Sequence, residues 1–163
     1  MRRLVLLAAL GAATAQAQEV RRLGPADSPI SASVEVPGGS RIVYVSGTVP
    51  DPADANAAVG SAQRYGDTAA QTRSILAKIQ AQLGRHGLSL GNVVMMRVFL
   101  VAPPGQPRMD FAGMMTAYRE FFGTAAQPNR PARSTMQVAG LVDPGWLVEI
   151  EVTAVAAAPA GDR

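Results

Sequence analysis

An alternating strand pattern near the C-terminus constrains the fold more than any other part of the sequence. The two faces of this strand would carry Leu147, Glu149, Glu151 and Thr153 on one side and Val148, Ile150, Val152 and Ala154 on the other. Because the apolar face must be buried, the strand requires a sheet that is covered by a second layer. The surrounding stretch, residues 127–155, therefore organises the prediction for the rest of the chain.

Glu149 is the unusual residue of this strand, because it lies in one of the most apolar runs of the chain. Arg133, which follows the Pro131-Ala132 pair, precedes it by sixteen residues, and a predicted strand and a Gly/Pro turn lie between the two. A strand–turn–strand path would return the chain beside itself and bring both side chains to one pocket, as an anion clamp and a carboxylate. The alternative is an exposed cross-strand ion pair, worth roughly a few tenths of a kcal/mol.

Residues 1–17 predict a secretory signal peptide. Arg2 and Arg3 form a basic segment, residues 4–13 form an apolar segment too short to span a bilayer, and residues 15–17 read Ala-Gln-Ala, a typical cleavage site. An ordinary N-terminal helix is the alternative interpretation. We therefore expect an exported, periplasmic protein with no membrane anchor after cleavage.

Charge and composition limit the partners and the kinds of catalytic site that the chain can have. The chain has 15 Lys and Arg against 12 Asp and Glu, and two of the arginines belong to the predicted signal peptide. The mature chain is then nearly neutral, which argues against nucleic acid as a partner. There is no cysteine, so disulfides and thiolate chemistry are excluded. His86 is the single histidine, and its place at the end of a predicted helix indicates a partner for the helix dipole rather than a catalytic or metal-binding group.

Hydrophobic periodicity and turn residues divide the mature chain into an N-terminal arm, one domain and a tail. The predicted parts are an exposed arm (18–29), a domain (30–155) and a flexible tail (156–163); within the domain lie two strands of a hairpin (30–36 and 41–49), a helix capped by Asp67 (68–86), a central strand covered on both faces (92–102), a helix capped by Asp110 (110–122) and two final strands. The order β-β-α-β-α-β-β predicts an α+β fold with two helices on one face of a mixed sheet. We expect oligomerisation to cover the other face.

Gly47 interrupts the second predicted strand. A glycine inside a strand often marks a β-bulge or a close backbone approach to a ligand. The alternative is a strand that simply ends before Pro50.

The motifs of the chain resemble those of the Rid family, the reactive intermediate deaminases, which are also called the YjgF family. The matching segments are VSGTVP (45–50), QTR (71–73), VFL (98–100), YREFFG (118–123), PARS (131–134) and VEIE (148–151). They occur in the family order and spacing over residues 29–155, and the PARS and VEIE segments are the most specific of them.

The resemblance implies a chorismate-mutase-like fold and a homotrimer with inward-packed sheets and sites in the clefts between subunits. It also implies hydrolysis of enamines and imines derived from amino acids to a 2-oxo acid and ammonia, with neither a metal nor an organic cofactor. Arg133 would hold the substrate carboxylate, to which a guanidinium offers a bidentate fit. Glu149 would position the attacking water and accept its proton. Ser46 and Gly47 would line the pocket.

The sequence departs from the family pattern in the substrate pocket and in one loop. Ile30 stands where the family has a tyrosine, Met115 stands where it has an asparagine, and the loop over residues 51–66 is several residues longer than usual. Each lost polar contact would cost on the order of 1 kcal/mol of binding, so we expect a shifted substrate preference. A non-catalytic protein that binds small carboxylates through Arg133 is the alternative function. Ribonuclease activity, attributed to some relatives, is disfavoured by the near-neutral charge and the single histidine.

Overall fold

The computed structural model describes residues 19–156. The predicted signal peptide and the predicted tail beyond Ala156 lie outside the described residues. The elements are β1 (Arg21–Leu23), β2 (Ser33–Glu35), β3 (Arg41–Thr48), α1 (Ala62–Tyr65), α2 (Thr68–Arg85), a 3₁₀ turn (Leu90–Asn92), β4 (Val93–Leu100), α3 (Phe111–Phe121), β5 (Ala132–Gln137) and β6 (Val148–Ala156). No helix among these residues is both long and apolar enough to span a membrane.

The main sheet has four strands in the order β3-β6-β4-β5. Strand β6 is antiparallel to both of its neighbours, whereas β5 runs parallel to β4, which confirms the predicted mixed sheet. The expectation that the last two strands form a hairpin is wrong, because β4 lies between them. A parallel β4–β5 pair requires a crossover connection, and α3 supplies it.

The two long helices cover one face of this sheet, as predicted. Alternate residues of β4, Met96, Val98 and Leu100, are fully buried in one core with Ile75 and Ile79 of α2 and with Met114 and Tyr118 of α3. On the other face of β4, Met95 and Phe99 are only partly buried and Arg97 is exposed. The expectation that β4 is covered on both faces is therefore wrong for a single protomer.

Both predicted helix caps are confirmed. The Asp67 carboxylate accepts a hydrogen bond of 2.8 Å from the backbone N–H of Ala70, and Asp110 accepts one of 2.8 Å from Gly113. These carboxylates satisfy backbone donors that have no partner within the helix. Helix α2 ends ahead of Gly87, whose φ of +69° stops the helix.

The first strands pair differently from the prediction. Strand β2 pairs with β1 in a separate two-stranded antiparallel sheet, so the expected hairpin between residues 30–36 and 41–49 is wrong, and the arm is not simply a loose extension. The arm is held because Ala32 N–H donates to the Leu23 carbonyl at 2.7 Å and Arg22 reaches the carbonyls of Gly91 and Val93. Pairing with β1 gives the backbone groups of the short strand β2 their hydrogen bonds, so β2 does not need to pair with β3.

The long loop over residues 51–66 is ordered around its own side chains. Arg64 donates from Nη1 to the carbonyls of Ala55 and Ala57 at 2.9 and 2.8 Å. The loop ends in α1, a single turn that the sequence did not predict, and the hydroxyl of Tyr65 donates to Asp143 at 2.8 Å. The loop is thus built into the body of the protein beside the segment leading to β6.

Candidate functional site

Arg133 lies on β5 and points toward the helix layer. It pairs in the sheet with Met96, which is buried beneath the helices. The guanidinium carbon of Arg133 lies 4.4 Å from the centre of the Tyr118 ring and 5.9 Å from that of Phe111. Its Nη2 is 3.2 Å from the sulfur of Met115, which is a weak acceptor. An aromatic and thioether wall on α3 therefore holds the cation in place.

The guanidinium of Arg133 is charged and incompletely satisfied. Burial is the main influence on its pKa and lowers it from the ordinary value, but an arginine remains cationic in a protein. Its Nη1 is buried without a hydrogen-bond partner, and within residues 19–156 Arg133 forms no ion pair. Because an unpaired buried charge is costly, this arrangement favours an external carboxylate as its partner.

Tyr118 lies against the guanidinium of Arg133 and is itself held by two contacts. Its ring stacks on Phe122 with centroids 4.9 Å apart, and its hydroxyl donates to the Pro29 carbonyl at 3.0 Å. Burial raises the pKa of Tyr118 to about 12, so the phenol is neutral near pH 7. The sequence analysis treated Tyr118 and Phe111 as core positions of a helix. The YREFFG motif was the available signal, but no spacing rule shows that a ring lies under an arginine on another element.

The two atypical pocket residues lie on the Arg133 side of the sheet. Met115 is one turn before Tyr118 on α3 and contacts Arg133 directly. Ile30 follows Pro29, the hydrogen-bond partner of Tyr118, and packs against the core. The structure therefore brings Met115 to Arg133 and places Ile30 at the adjoining Pro29–Tyr118 contact.

Glu149 lies on the opposite face of the sheet from Arg133. Met96 of β4 pairs with Arg133, whereas Phe99 pairs with both Met136 of β5 and Glu149 of β6. Side chains alternate between faces, so the three-residue step from Met96 to Phe99 reverses the face. The expectation that Arg133 and Glu149 face one pocket through a hairpin is wrong within a single protomer.

Glu149 rests on the backbone of Gly47. The pairing of β3 with β6 shifts register between Val45 and Thr48, as a bulge at Gly47 would require, and β3 also ends at Thr48, before Pro50. A Cβ atom at position 47 would lie 1.8 Å from Glu149 Oε1, so only glycine leaves room for the carboxylate in this position. The close approach to a ligand that was suggested for Gly47 stays a prediction, and in this structure the group against Gly47 is the Glu149 side chain.

Ser46 belongs to the same, uncovered side of the sheet. It lines a shallow cavity of about 200 Å³ together with Tyr44, Met95 and the ion pair between Arg97 and Glu151, whose charged atoms are 2.7 Å apart. The predicted site thus falls into two halves: Arg133 with Met115 on the helix side, and Ser46, Gly47 and Glu149 on the open side. Within the described part of the chain, no group of three or more His, Asp or Glu side chains is placed to hold a metal ion.

Comparisons with known proteins agree with both the sequence motifs and the fold. Residues 25–156 match a family model described as Endoribonuclease L-PSP. The chain is 36% identical over 122 residues to the 3-aminoacrylate deaminase RutC of Acinetobacter baylyi, a match that covers 75% of this chain and 85% of that protein. The chain belongs to the Rid/YjgF family.

Solved Rid structures share this architecture. The Rid protein YyfB of Yersinia pestis, a protein of unknown function, is 25% identical with a TM-score of 0.64, and the match covers 85% of this chain and all of that chain. Escherichia coli TdcF, crystallised with bound serine, is 27% identical with a TM-score of 0.57, over 84% of this chain and 99% of that one. Rid/YjgF proteins are small-molecule-binding homo-oligomers, so the two half-sites found here are best considered in an assembly.

Proposed function

We propose that this Rid protein is a hydrolytic deaminase that converts enamine and imine intermediates derived from amino acids into 2-oxo acids and ammonia. The observation that carries the proposal is the half-buried guanidinium of Arg133, whose Nη1 has no hydrogen-bond partner among residues 19–156. The 36% identity to a 3-aminoacrylate deaminase supports the same class of reaction.

The chemistry assigns one step to each half-site. Arg133 would bind the substrate carboxylate in a bidentate manner and so place the imine carbon. Water would attack that carbon while Glu149 accepts its proton and passes it to the imine nitrogen, which gives a tetrahedral carbinolamine. The hydroxyl proton of the carbinolamine would then move to the nitrogen as the C–N bond breaks, so that ammonia leaves and the C=O bond forms. The products are one 2-oxo acid and one ammonia for each imine and water consumed.

The proposed active site requires two protomers. Arg133 and Glu149 lie on opposite faces of the sheet in one chain, so they can share a substrate only if Glu149 of one protomer meets Arg133 of another. We propose a homotrimer in which the open sheet faces pack inward and the sites lie in the clefts between subunits. The uncovered, partly apolar face that carries Tyr44, Met95 and Phe99 supports such packing.

A second candidate function is binding of small carboxylates without turnover. It is favoured by the surroundings of Arg133, because Met115 supplies only a thioether and Ile30 only an alkyl group where a reaction would benefit from stronger hydrogen-bonding groups. The structure of TdcF with bound serine is a family example of a captured small carboxylate.

Kinetics of 2-oxo acid formation separate the two functions. An amino-acid oxidase would generate 2-imino acids in situ, and residues 18–163 would be added as wild type, Arg133→Ala or Glu149→Gln. The controls are Arg85→Ala and Glu35→Gln, since both side chains are exposed and outside either half-site. Acceleration by wild type and controls but by neither site variant supports the deaminase. Carboxylate binding without acceleration, for several classes of substrate side chain, supports a binding protein that is not an enzyme. Cleavage of RNA by the same preparations would favour ribonuclease activity.

We also propose that the protein is exported to the periplasm. The basic, apolar and Ala-Gln-Ala segments of residues 1–17 support this location. Mass spectrometry of the protein from a periplasmic extract should give an N-terminus at Gln18. Recovery of the uncleaved chain from the cytoplasm alone would contradict the proposal.

A further inference from the structure

A second cationic cavity lies on the arm side of the molecule. It has a volume of about 160 Å³ and is lined by residues 22–25 at β1, by Ile30 and Ser31, and by residues 128–130 ahead of β5. Two of its walls are the arginines Arg22 and Arg130. It shares only Ile30 with the proposed substrate pocket.

Main-chain carbonyl groups hold both guanidinium groups at this cavity. Arg22 donates from Nη2 to the carbonyls of Gly91 and Val93 at 3.0 and 3.3 Å. Arg130 donates from Nη1 to the carbonyl of Ala26 at 2.8 Å and to that of Ser28. One guanidinium is therefore anchored to the start of β4 and the turn before it, and the other to the N-terminal arm.

Carbonyl groups orient these arginines but do not neutralise them. Within residues 19–156, neither Arg22 nor Arg130 has a carboxylate within 4.0 Å. In addition, Nε of Arg22 is buried without a hydrogen-bond partner. Two positive charges without a carboxylate partner therefore line one cavity, and an anion between them would lower their electrostatic energy.

A purely mechanical role, in which the arginines only fasten the arm, does not account for this charge. Neutral donors such as Gln or Asn could supply hydrogen bonds to the same carbonyls. Burial also lowers the pKa of Arg22, which reflects the cost of keeping its charge away from water. The group nevertheless stays protonated, because arginine keeps its proton even when buried.

We propose that the cavity between Arg22 and Arg130 binds a small oxyanion, such as inorganic phosphate or a simple carboxylate. Its volume corresponds to about five water molecules, which suits an ion of four or five heavy atoms. Guanidinium groups recognise such oxyanions through charge-assisted hydrogen bonds. The bound ion links β1 to the segment that enters β5, three residues before Arg133.

Titration calorimetry with inorganic phosphate tests the site. The experiments use Arg133→Gln protein at constant ionic strength set with chloride, so that the proposed substrate site does not contribute. We expect saturable binding of one phosphate per chain. Arg22→Gln and Arg130→Gln, added singly, should each weaken binding at least tenfold, whereas Arg21→Gln, on the same strand but outside the cavity, should leave it unchanged. Acetate competing with phosphate identifies a general oxyanion site, and no competition identifies a phosphate site.

A soak with selenate, an anomalously scattering analogue of sulfate, locates the ion without depending on variants that fail to fold. An anomalous peak between Arg22 and Arg130 is the expected result. The proposal is overturned if phosphate binding in the Arg133→Gln protein is absent, if it is equally tight after Arg22→Gln and Arg130→Gln, or if selenate occupies only other positions. None of these readouts uses imine hydrolysis, so the anion site and the deaminase activity fail or stand separately.

Discussion

At the scale of single residues, the surroundings of Arg133 decide what the site can bind. An aromatic ring 4.4 Å below the guanidinium and a thioether 3.2 Å from Nη2 hold the cation without neutralising it. The sequence was sufficient to single out Arg133 and Glu149 because their motifs are short and specific. It was insufficient to place Tyr118 beneath Arg133, because that contact depends on how α3 packs across β5.

We expect Tyr118→Phe to reveal the buried phenol through the pH dependence of stability. In the folded state the pKa of Tyr118 is raised to about 12, so the unfolded chain loses this proton first as the pH rises. Wild type should therefore lose about 1.4 kcal/mol of unfolding free energy by about pH 11, beginning near pH 10, whereas the variant lacks this loss. At pH 8 the variant should be less stable by about 1 kcal/mol, for the lost hydrogen bond to Pro29.

Urea unfolding of both proteins at about pH 8 and about pH 11 measures this effect. At about pH 11 the variant should be the more stable protein, by roughly 0.4 kcal/mol, and an unchanged difference contradicts the assignment.

Gly47→Ala should separate the position of Glu149 from the stability of the fold. The new Cβ would displace the Glu149 carboxylate, so kcat/KM for imine hydrolysis should fall at least roughly tenfold, as expected when a general base is misplaced. Stability should change by less than about 1 kcal/mol, because the displaced group is the end of a flexible side chain.

The matched control is Gly84→Ala on α2, where no atom lies within 4 Å of the added carbon. It should raise stability by up to about 1 kcal/mol and leave activity unchanged. Wild-type kcat/KM in the Gly47→Ala protein would show that Glu149 need not rest on this glycine.

At the scale of elements, local patterns predicted which segments are helices and strands, but strand pairing was less predictable. The caps at Asp67 and Asp110 and the alternation of β6 depend on neighbouring residues, and all three were read correctly. The partners of β2 and β5 depend on distant segments. A hairpin was the nearest solution in sequence, yet β2 pairs with the arm and β5 pairs in parallel with β4.

Gln71 shows how a motif residue can serve the architecture around a site. Its amide is fully buried, donates to the carbonyls of Gly66 and Gly145 at 3.1 and 2.9 Å, and accepts from the Leu147 N–H at 2.7 Å. It thereby joins α2 to the end of the long loop and to the entry of β6. The QTR motif marked this position, but the sequence contained nothing to identify its three partners.

Gln71→Leu should therefore destabilise the protein by about 3 kcal/mol or more, because three buried backbone groups lose their partner. Gln80→Leu, at an exposed position on the same helix, should stay within about 0.5 kcal/mol of wild type. Urea unfolding at neutral pH provides the comparison. A loss below about 1 kcal/mol for Gln71→Leu would mean that water or neighbouring groups replace the amide.

At the scale of the whole molecule, the register of the sheet explains why the proposed site needs residues from two protomers. Arg133 lies under the helices, Glu149 lies on the uncovered face, and the sheet separates them. That face also exposes 76% of Tyr44 and 48% of Ile42, which is unusual for side chains of this size in a sheet. Sequence spacing could name the two residues but could not show that they belong to different faces, because this follows from the position of β4 between β5 and β6.

Mixed oligomers of two inactive variants test the shared site directly. Arg133→Ala and Glu149→Gln proteins would be unfolded together in urea, refolded at equal concentrations, and assayed for imine hydrolysis. If each site takes Arg133 from one protomer and Glu149 from the next, random mixing of the two variants restores about a quarter of the sites of a cyclic oligomer. Restored activity near this fraction of wild type is the expected outcome, because neither variant can form a complete site with copies of itself.

Native mass spectrometry verifies that mixed oligomers form, and each variant refolded alone gives the background. Mixed oligomers with no activity above that background would place both residues of a working site in the same protomer, against the register of the sheet.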